Sequence, residues 1–231
     1  LQQTARLETG MSYSPPQIEQ AHNNLVSLYY SRGFINVRVE HSEQISENGV
    51  AVTFEISEGS PMRIGRIIVA GSTRTAEKIV HRNSNLYPNT PYNPEAILGA
   101  QQRLYATGLF NRVDIVPLGS PEDASRDVLI QLEDAKPILL TYGLGFTEFE
   151  GLRGTAEVSH NNLFGLDRAI SLRVRGSSKD RYFQSTYREP KLFNHNIEGF
   201  ASLFVEKTQR RFFDANRVDF SLQVLRRRSA K

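Results

Sequence analysis

The chain turns on residues 137–147, which read Pro137-Ile138-Leu139-Leu140-Thr141-Tyr142-Gly143-Leu144-Gly145-Phe146-Thr147. From Leu140 every second residue is apolar (Leu140, Tyr142, Leu144, Phe146). The residues between are Thr141, Gly143, Gly145 and Thr147. A period of two places each set on one face of a strand. Downstream of this stretch only alternation and turns occur. Upstream, helical and strand patterns mix.

Downstream, Ala156 and Val158 alternate with Thr155, Glu157 and Ser159, and Ile170, Leu172 and Val174 with Ser171, Arg173 and Arg175. Val218, Phe220, Leu222 and Val224 alternate with Arg217, Asp219, Ser221 and Gln223. Tyr182–Arg188 and Ile197–Glu206 are strand-like but less regular. Turn signals fall at Glu150-Gly151, Phe164-Gly165, Gly176-Ser177, Asn194–Asn196 and Asp214–Asn216. About six antiparallel strands are expected in the 94 residues after Pro137. Two architectures satisfy this pattern. A soluble sandwich or meander turns its apolar face to a core. A membrane β-barrel turns it to lipid and its polar face to a watery lumen. The charges at Glu157, Arg173, Arg175, Arg217 and Asp219, and the aromatics near strand ends, favour the barrel. Single strands do not decide.

Upstream, Tyr13-Ser14-Pro15-Pro16 opens a helix, with Ser14 at the N-cap and proline in the first turn. Ile18, Ala21, Leu25 and Leu28 form its apolar face and Gly33 stops it. Phe34–Glu40 is a strand, Glu47-Asn48-Gly49 a hairpin turn and Val50–Ile56 the returning strand. The grammar then returns. Tyr92-Asn93-Pro94 opens a helix carrying Ile97, Gln101, Leu104 and Tyr105, and Gly108 stops it. Leu109–Val116 is a strand, Gly119–Ser125 a polar loop, and Asp127–Glu133 the return. This copy also has a front half, with strand Ile64–Val69, turn Gly71-Ser72 and helix Thr75–His81. The chain therefore contains an internal repeat of strand, helix, helix, strand, strand, and its first copy lacks the leading strand and helix. Tyr13 to Gly33 spans 20 residues and Tyr92 to Gly108 spans 16. The difference is about one helical turn, so the same face still meets the sheet.

Composition limits what the chain can be. Of 231 residues, 28 are basic and 25 acidic, too even a balance to imply nucleic acid. A 23% charged and 39% hydrophobic content suits a folded chain. The absence of cysteine excludes disulfides, thiolate chemistry and Cys-based zinc sites. No apolar run reaches the roughly 18 residues of a transmembrane helix. Leu1–Gly10 has neither the basic start nor the apolar centre of a signal peptide. Residue 1 is not Met, so a mature form or an excised piece is expected.

These residues resemble the outer-membrane assembly factors of the BamA/TamA superfamily, which join periplasmic polypeptide-transport-associated (POTRA) domains to a membrane barrel. The resemblance covers nearly the whole chain. It rests on the Tyr-x-Pro helix start in both repeats, on Arg32-Gly33-Phe34 and Thr107-Gly108-Leu109-Phe110, and on the element order. It rests also on Tyr142-Gly143-Leu144-Gly145-Phe146, on Asn162-Leu163-Phe164-Gly165, and on Tyr187-Arg188-Glu189-Pro190-Lys191-Leu192-Phe193. The fold implied is α+β POTRA repeats (β-α-α-β-β) followed by antiparallel strands of a truncated transmembrane β-barrel. Residues 1–60 would be the C-terminal part of one POTRA domain, 61–137 a complete one, and 138–231 the first six or so barrel strands. Barrels of this family have about sixteen strands. The family's Arg-Gly-Phe loop motif is missing, since Arg32-Gly33 and Arg175-Gly176 stand in other contexts. A fragment is therefore expected, with unpaired edges because six strands do not close such a barrel.

The implied function is binding and templating at the bacterial outer membrane, with POTRA domains in the periplasm, no cofactor and no nucleic acid. The implied partners are unfolded outer-membrane or secreted polypeptides, outer-membrane lipid, and periplasmic or lipoprotein factors. The resemblance places a client-accepting edge on the strand after the second helix of each repeat. Here these are Ile35, Val37 and Val39, and Arg112, Val113, Asp114 and Ile115. Alternatively, Pro117 and the charges blunt that edge against aggregation. It places a barrel seam on Ile138–Thr147, where Leu139, Thr141, Gly143, Gly145 and Thr147 would meet a client strand. Glycine there either loosens the strand or lets a bulky lumen group pack. Pro137 would set the domain junction. A two-partner secretion transporter is the nearest alternative; a soluble periplasmic scaffold or binding module is the alternative of another class. No catalytic arrangement stands out. His22, His41, His81, His160 and His195 lack metal-site spacing, Gly143-x-Gly145 precedes no helix, no G-x-S-x-G elbow occurs, and Glu148 and Glu150 sit at a strand end. Arg210-Arg211 and Arg226–Arg228 read as a solvated loop or charged lumen wall. No enzyme activity is expected.

Overall fold

The computed structural model describes Gly10 and residues 12–46, 49–120, 123–148, 150–192, 195, 197–210 and 212–226. In chain order the elements are α1 (Pro15–Ser31), β1 (Arg38–Ser46), β2 (Gly49–Ser57), β3 (Arg63–Ala70), α2 (Glu77–Ser84), α3 (Pro94–Ala106), β4 (Phe110–Leu118) and β5 (Ser125–Asp134). There follow β6 (Ile138–Thr147), β7 (Gly151–Leu163), β8 (Arg168–Ser177), β9 (Asp180–Glu189), β10 (Ile197–Gln209) and β11 (Asp214–Arg226). Glu47, Asn48, Phe193, Asn194, Asn196, Arg211, Arg227 and Arg228, which several expectations involved, lie outside the described residues. Two compact units form. One is Leu1–Ala70, His81–Ala106 and Val113–Leu132; the other is Gly71–Val80, Thr107–Arg112 and Glu133–Lys231.

In the first unit α1 buries Ile18, Ala21, Leu25 and Tyr29. Tyr29 replaces the expected Leu28. At about 100° per residue, position 29 returns to within about 20° of Ile18 after three turns, whereas position 28 falls about 80° short. Ser14 stands at the N-cap in extended conformation, but its side chain makes no cap bond. Gly33 ends the helix at φ +92°, and a Cβ there would lie 2.4 Å from the Met62 carbonyl oxygen. The Gly33 carbonyl in turn accepts from Met62 N–H at 2.8 Å, fastening one repeat to the next. β1 and β2 form a two-stranded antiparallel sheet. The later repeat forms a three-stranded sheet in the order β3-β5-β4, with β3 parallel to β5. Its return strand is central, and β4 and β3 are edges. Asn93 caps α3, its Oδ1 accepting from Glu95 N–H at 2.9 Å. The helix buries Ile97, Ala100 and Leu104.

In the second unit β6 to β11 form one antiparallel meander of six strands. The pairing register lines side chains up in rows across it. One row runs Tyr142, Ala156, Val174, Phe183, Val205, Val218. Its neighbour runs Gly143, Thr155, Arg175, Tyr182, Glu206, Arg217. The apolar rows are the exposed ones, with Tyr142 at 82%, Val174 at 48% and Val218 at 68% of full exposure. The polar face carries ion pairs, with Arg173 and Glu157 at 2.6 Å and Arg217 and Asp219 also at 2.6 Å. An uncovered apolar face opposite an ion-paired one suits the wall of an unclosed barrel. No helix among the described residues is long and apolar enough to cross a membrane, which says nothing of strands. Two turns were misplaced: Gly176-Ser177 end β8, the bend following at Ser178-Lys179. Asp214–Asn216 belong to β11, because Arg210 N–H bonds the Phe213 carbonyl and closes the hairpin earlier.

Candidate functional site: strand edges and the base of the sheet

The expected client edges separate once placed. Ile35 lies in a turn and Val37 just before β1, which begins at Arg38. The strand starts late because Gly33 is followed by a tight turn, with Ile35 N–H bonded to the Gly33 carbonyl and Val37 N–H to that of Phe34. Ile35 and Val37 therefore offer no strand edge, whereas Val39, buried in β1, does. Arg112, Val113, Asp114 and Ile115 all lie in β4, an edge of its sheet. That edge is partly occupied: Val113 N–H donates to the Tyr105 hydroxyl at 3.0 Å and its carbonyl accepts from Gln101 Nε2 at 2.7 Å. Gln101 and Tyr105, read with Ile97 and Leu104 on the helix, flank the buried stripe and spend their polar ends on the strand.

β6 is the outer strand of the six, and Leu139, Thr141, Gly143, Gly145 and Thr147 all lie in it. A Cβ built on Gly143 or Gly145 meets no described atom within 4 Å. Among the described residues no group packs against either glycine.

At the base of β6 the chain is held tightly. The Pro137 carbonyl accepts from Asn161 N–H at 2.8 Å, and Ala135 N–H donates to the Leu109 carbonyl at 2.8 Å. One residue earlier stands Asp134, which the sequence did not single out. One of its carboxylate oxygens accepts from Thr73 and Arg74 N–H at 2.7 and 2.9 Å, the other from the Ser72 and Thr75 hydroxyls at 2.9 and 3.1 Å. Desolvation pushes this carboxyl up, but the four hydrogen bonds outweigh it and hold it below the usual range. Thr75 also accepts from Asn162 Nδ2 at 2.8 Å, and Asn162 Oδ1 accepts from Asp167 N–H at 3.0 Å. Gly165, at φ +70°, offers its carbonyl to Ala76 N–H at 3.0 Å, and a Cβ there would lie 2.6 Å from the Arg74 carbonyl oxygen. The Asn162–Gly165 motif thus ties the β7–β8 turn to the Ser72–Ala76 loop. Beside it, Arg188 reaches Asp167 and Glu198, each at 3.3 Å, and Arg168 lies 2.7 Å from Glu189. The Tyr187–Glu189 motif is the ionic cross-bracing of this base.

The family model described as POTRA, surface antigen variable number repeat, matches residues 1–59 and 62–134. The outer membrane protein assembly factor BamA of Neorickettsia risticii is 23% identical over 206 residues, covering 88% of this chain and 28% of its own length. That of Nitratidesulfovibrio vulgaris is 21% identical over 216 residues, covering 92% and 26%. The chain thus spans about a quarter of the length of these curated relatives. Among solved structures, BamA from Haemophilus ducreyi lacking POTRA domains 1–3 has a TM-score of 0.73 at 16% identity, over 94% of this chain and 42% of that one. CdiB from Acinetobacter baumannii has a TM-score of 0.53 at 15% identity, over 93% and 42%. Likeness at these identities establishes fold alone.

Proposed function

The chain belongs to the POTRA family, and from this premise we propose that it is the POTRA–barrel part of an outer-membrane protein assembly factor. Its place is the bacterial outer membrane, with the POTRA repeats in the periplasm. The observation that carries the reading is the six-stranded wall, apolar outward and ion-paired on the other face, beginning directly after a POTRA repeat. Unfolded outer-membrane polypeptides would add as strands to the POTRA edges and to β6, main-chain hydrogen bonds supplying affinity without demanding a sequence. A catalytic step is not part of this reading. Barrel strands alternate apolar and polar residues, so a client strand aligned on β6 already carries the pattern for the lipid and lumen faces.

The test uses the full-length parent protein in liposomes with an unfolded barrel client. Gly143→Cys should form a disulfide with single cysteines in the client's terminal strands, and the protein should speed client folding severalfold. Efficient liposome insertion with neither crosslinking nor acceleration would overturn the proposal. The same arrangement, a POTRA repeat followed directly by barrel strands, also suits a second reading, export of a polypeptide through the pore. Passage of a client into the vesicle lumen, without its insertion, would favour it.

A further inference from the structure

Both repeats guard their edge strand with the same device. In β1 the carbonyl of Val39 lies 2.9 Å from His22 Nε2. A carbonyl only accepts, so that nitrogen carries the proton. In β4 the Val113 carbonyl accepts from Gln101 Nε2 at 2.7 Å. The helix positions are repeat-equivalent, His22 lying nine residues after Tyr13 and Gln101 nine after Tyr92, and the strand positions agree to within one residue. Val39 follows Gly33 by six residues and Val113 follows Gly108 by five; His22 precedes its glycine by eleven and Gln101 by seven. The offset of four between the helix positions is the one-turn insertion between the copies, which leaves both side chains on the same helix face. Both valines are buried, at 8% and 0% exposure. In the later repeat Tyr105 adds a second bond, to Val113 N–H.

In an extended strand the N–H and C=O of one residue point to the same side. Both groups of Val113 are taken by side chains of α3, so that side is the one away from β5. The next residue facing the same way is Ile115. After it comes Pro117, which has no N–H to give. A client strand could pair at Ile115 but would meet Gln101 and Tyr105 at the next rung. Resting on the augmentation reading above, we infer that Gln101 and Tyr105 on β4, and His22 on β1, are gate residues. They occupy the main-chain groups an extended client needs, and a client must displace them before it zips along the edge. The gate sets affinity and rejects chance strands without blocking the edge outright.

The probe is a fluorescein-labelled peptide with the sequence of β10, Ile197–Gln209, an alternating barrel strand. Its binding to the whole chain in detergent is read by anisotropy. Two ordinary hydrogen bonds correspond to a factor of about 5 to 100 in a binding constant. The Gln101→Ala, Tyr105→Phe double variant should bind the peptide tighter by about that factor, while still melting in one cooperative transition at a somewhat lower temperature, because the free protein loses the same two bonds. Tyr105→Phe alone, which removes one hydroxyl from a half-exposed ring, should give about 2- to 10-fold tightening and serves where the double variant does not fold. Equal or weaker binding by either folded variant overturns the gate. Ile115→Pro, added to the opened variant, should abolish binding. If Ile115→Pro abolishes binding but opening the gate does not tighten it, the gate fails and augmentation stands. If Ile115→Pro changes nothing, the peptide does not use β4 and both fail.

Discussion

Truncating Asp134 to alanine removes four hydrogen bonds from the base of the sheet at once. Bonds to a charged acceptor are each worth about 1.5–3 kcal/mol net. Two discounts apply. The Thr73 and Arg74 amides are exposed, so water takes over their bonds, and the partly desolvated carboxylate is itself relieved. A net loss of about 2–4 kcal/mol results, concentrated in the Ser72–Ala76 loop. Asp134→Asn keeps the two hydroxyl contacts, since both hydroxyls can turn to accept, and forfeits mainly the charge on the amide pair, costing about 1–2 kcal/mol. Amide hydrogen exchange on the whole chain in detergent measures this locally. At a factor of ten per 1.4 kcal/mol, Thr73, Arg74 and Ala76 should exchange about 30- to 1,000-fold faster in Asp134→Ala. The Val128 and Ile130 amides in β5 should not change. Ala76 is the critical probe, because its acceptor is the Gly165 carbonyl and not Asp134. Unchanged protection at Ala76, in a variant with intact circular dichroism, would refute the claim that loop and turn open as one.

The same carboxylate gives a pH test. Its folded value lies below the unfolded value of about 3.9, so its contribution is complete above about pH 4 and is lost as pH falls through the folded value. Ala76 protection, corrected for intrinsic exchange, should fall in that window and stay flat in Asp134→Asn. Gly165→Ala, at φ +70° and with a Cβ 2.6 Å from a backbone oxygen, should cost about 1–3 kcal/mol and lower the melting temperature, whereas Gly143→Ala should fold normally. Val174→Arg, on the exposed apolar row, should cost about 2–4 kcal/mol of folding into a bilayer. Thr141→Lys, opposite Glu157 on the polar face, should insert as well as the parent; equal folding of both variants in liposomes would contradict the assignment of faces.

Periodicity carried most of this fold into view. β6 runs from Ile138 to Thr147 as its alternation requires, and the repeat is legible because glycine ends both helices. What escaped was longer-range. Leu28 and Tyr29 are both apolar enough, and only the accumulated helical angle decides between them. Gln101 and Tyr105 match a helical spacing, yet a polar tip on a long side chain beside the stripe has an alternative to burial, which spacing alone does not reveal. Asp134 sits one residue beyond the expected end of its strand and finds its partners about 60 residues away; its signal was an acidic residue facing the Ser72–Thr75 run of donors. Asn162 and Gly165 were visible as a motif, but their partners, Thr75 and Ala76, were not.

The segment from Gly71 to Val80, a loop and the start of α2, belongs by sequence to a POTRA repeat and by contact to the unit that holds the sheet following it. Modularity therefore ends before the repeat does. A chimera spliced at Pro137 would hand the barrel a β7–β8 turn whose Asn162 and Gly165 face a foreign loop, and would hand Asp134 a foreign lattice of donors. Exchange of an upstream repeat would have to preserve only the Gly33–Met62 bond at the boundary between the repeats. Shuffling of this architecture should thus conserve the last repeat with its own barrel, the pair being inherited as one piece.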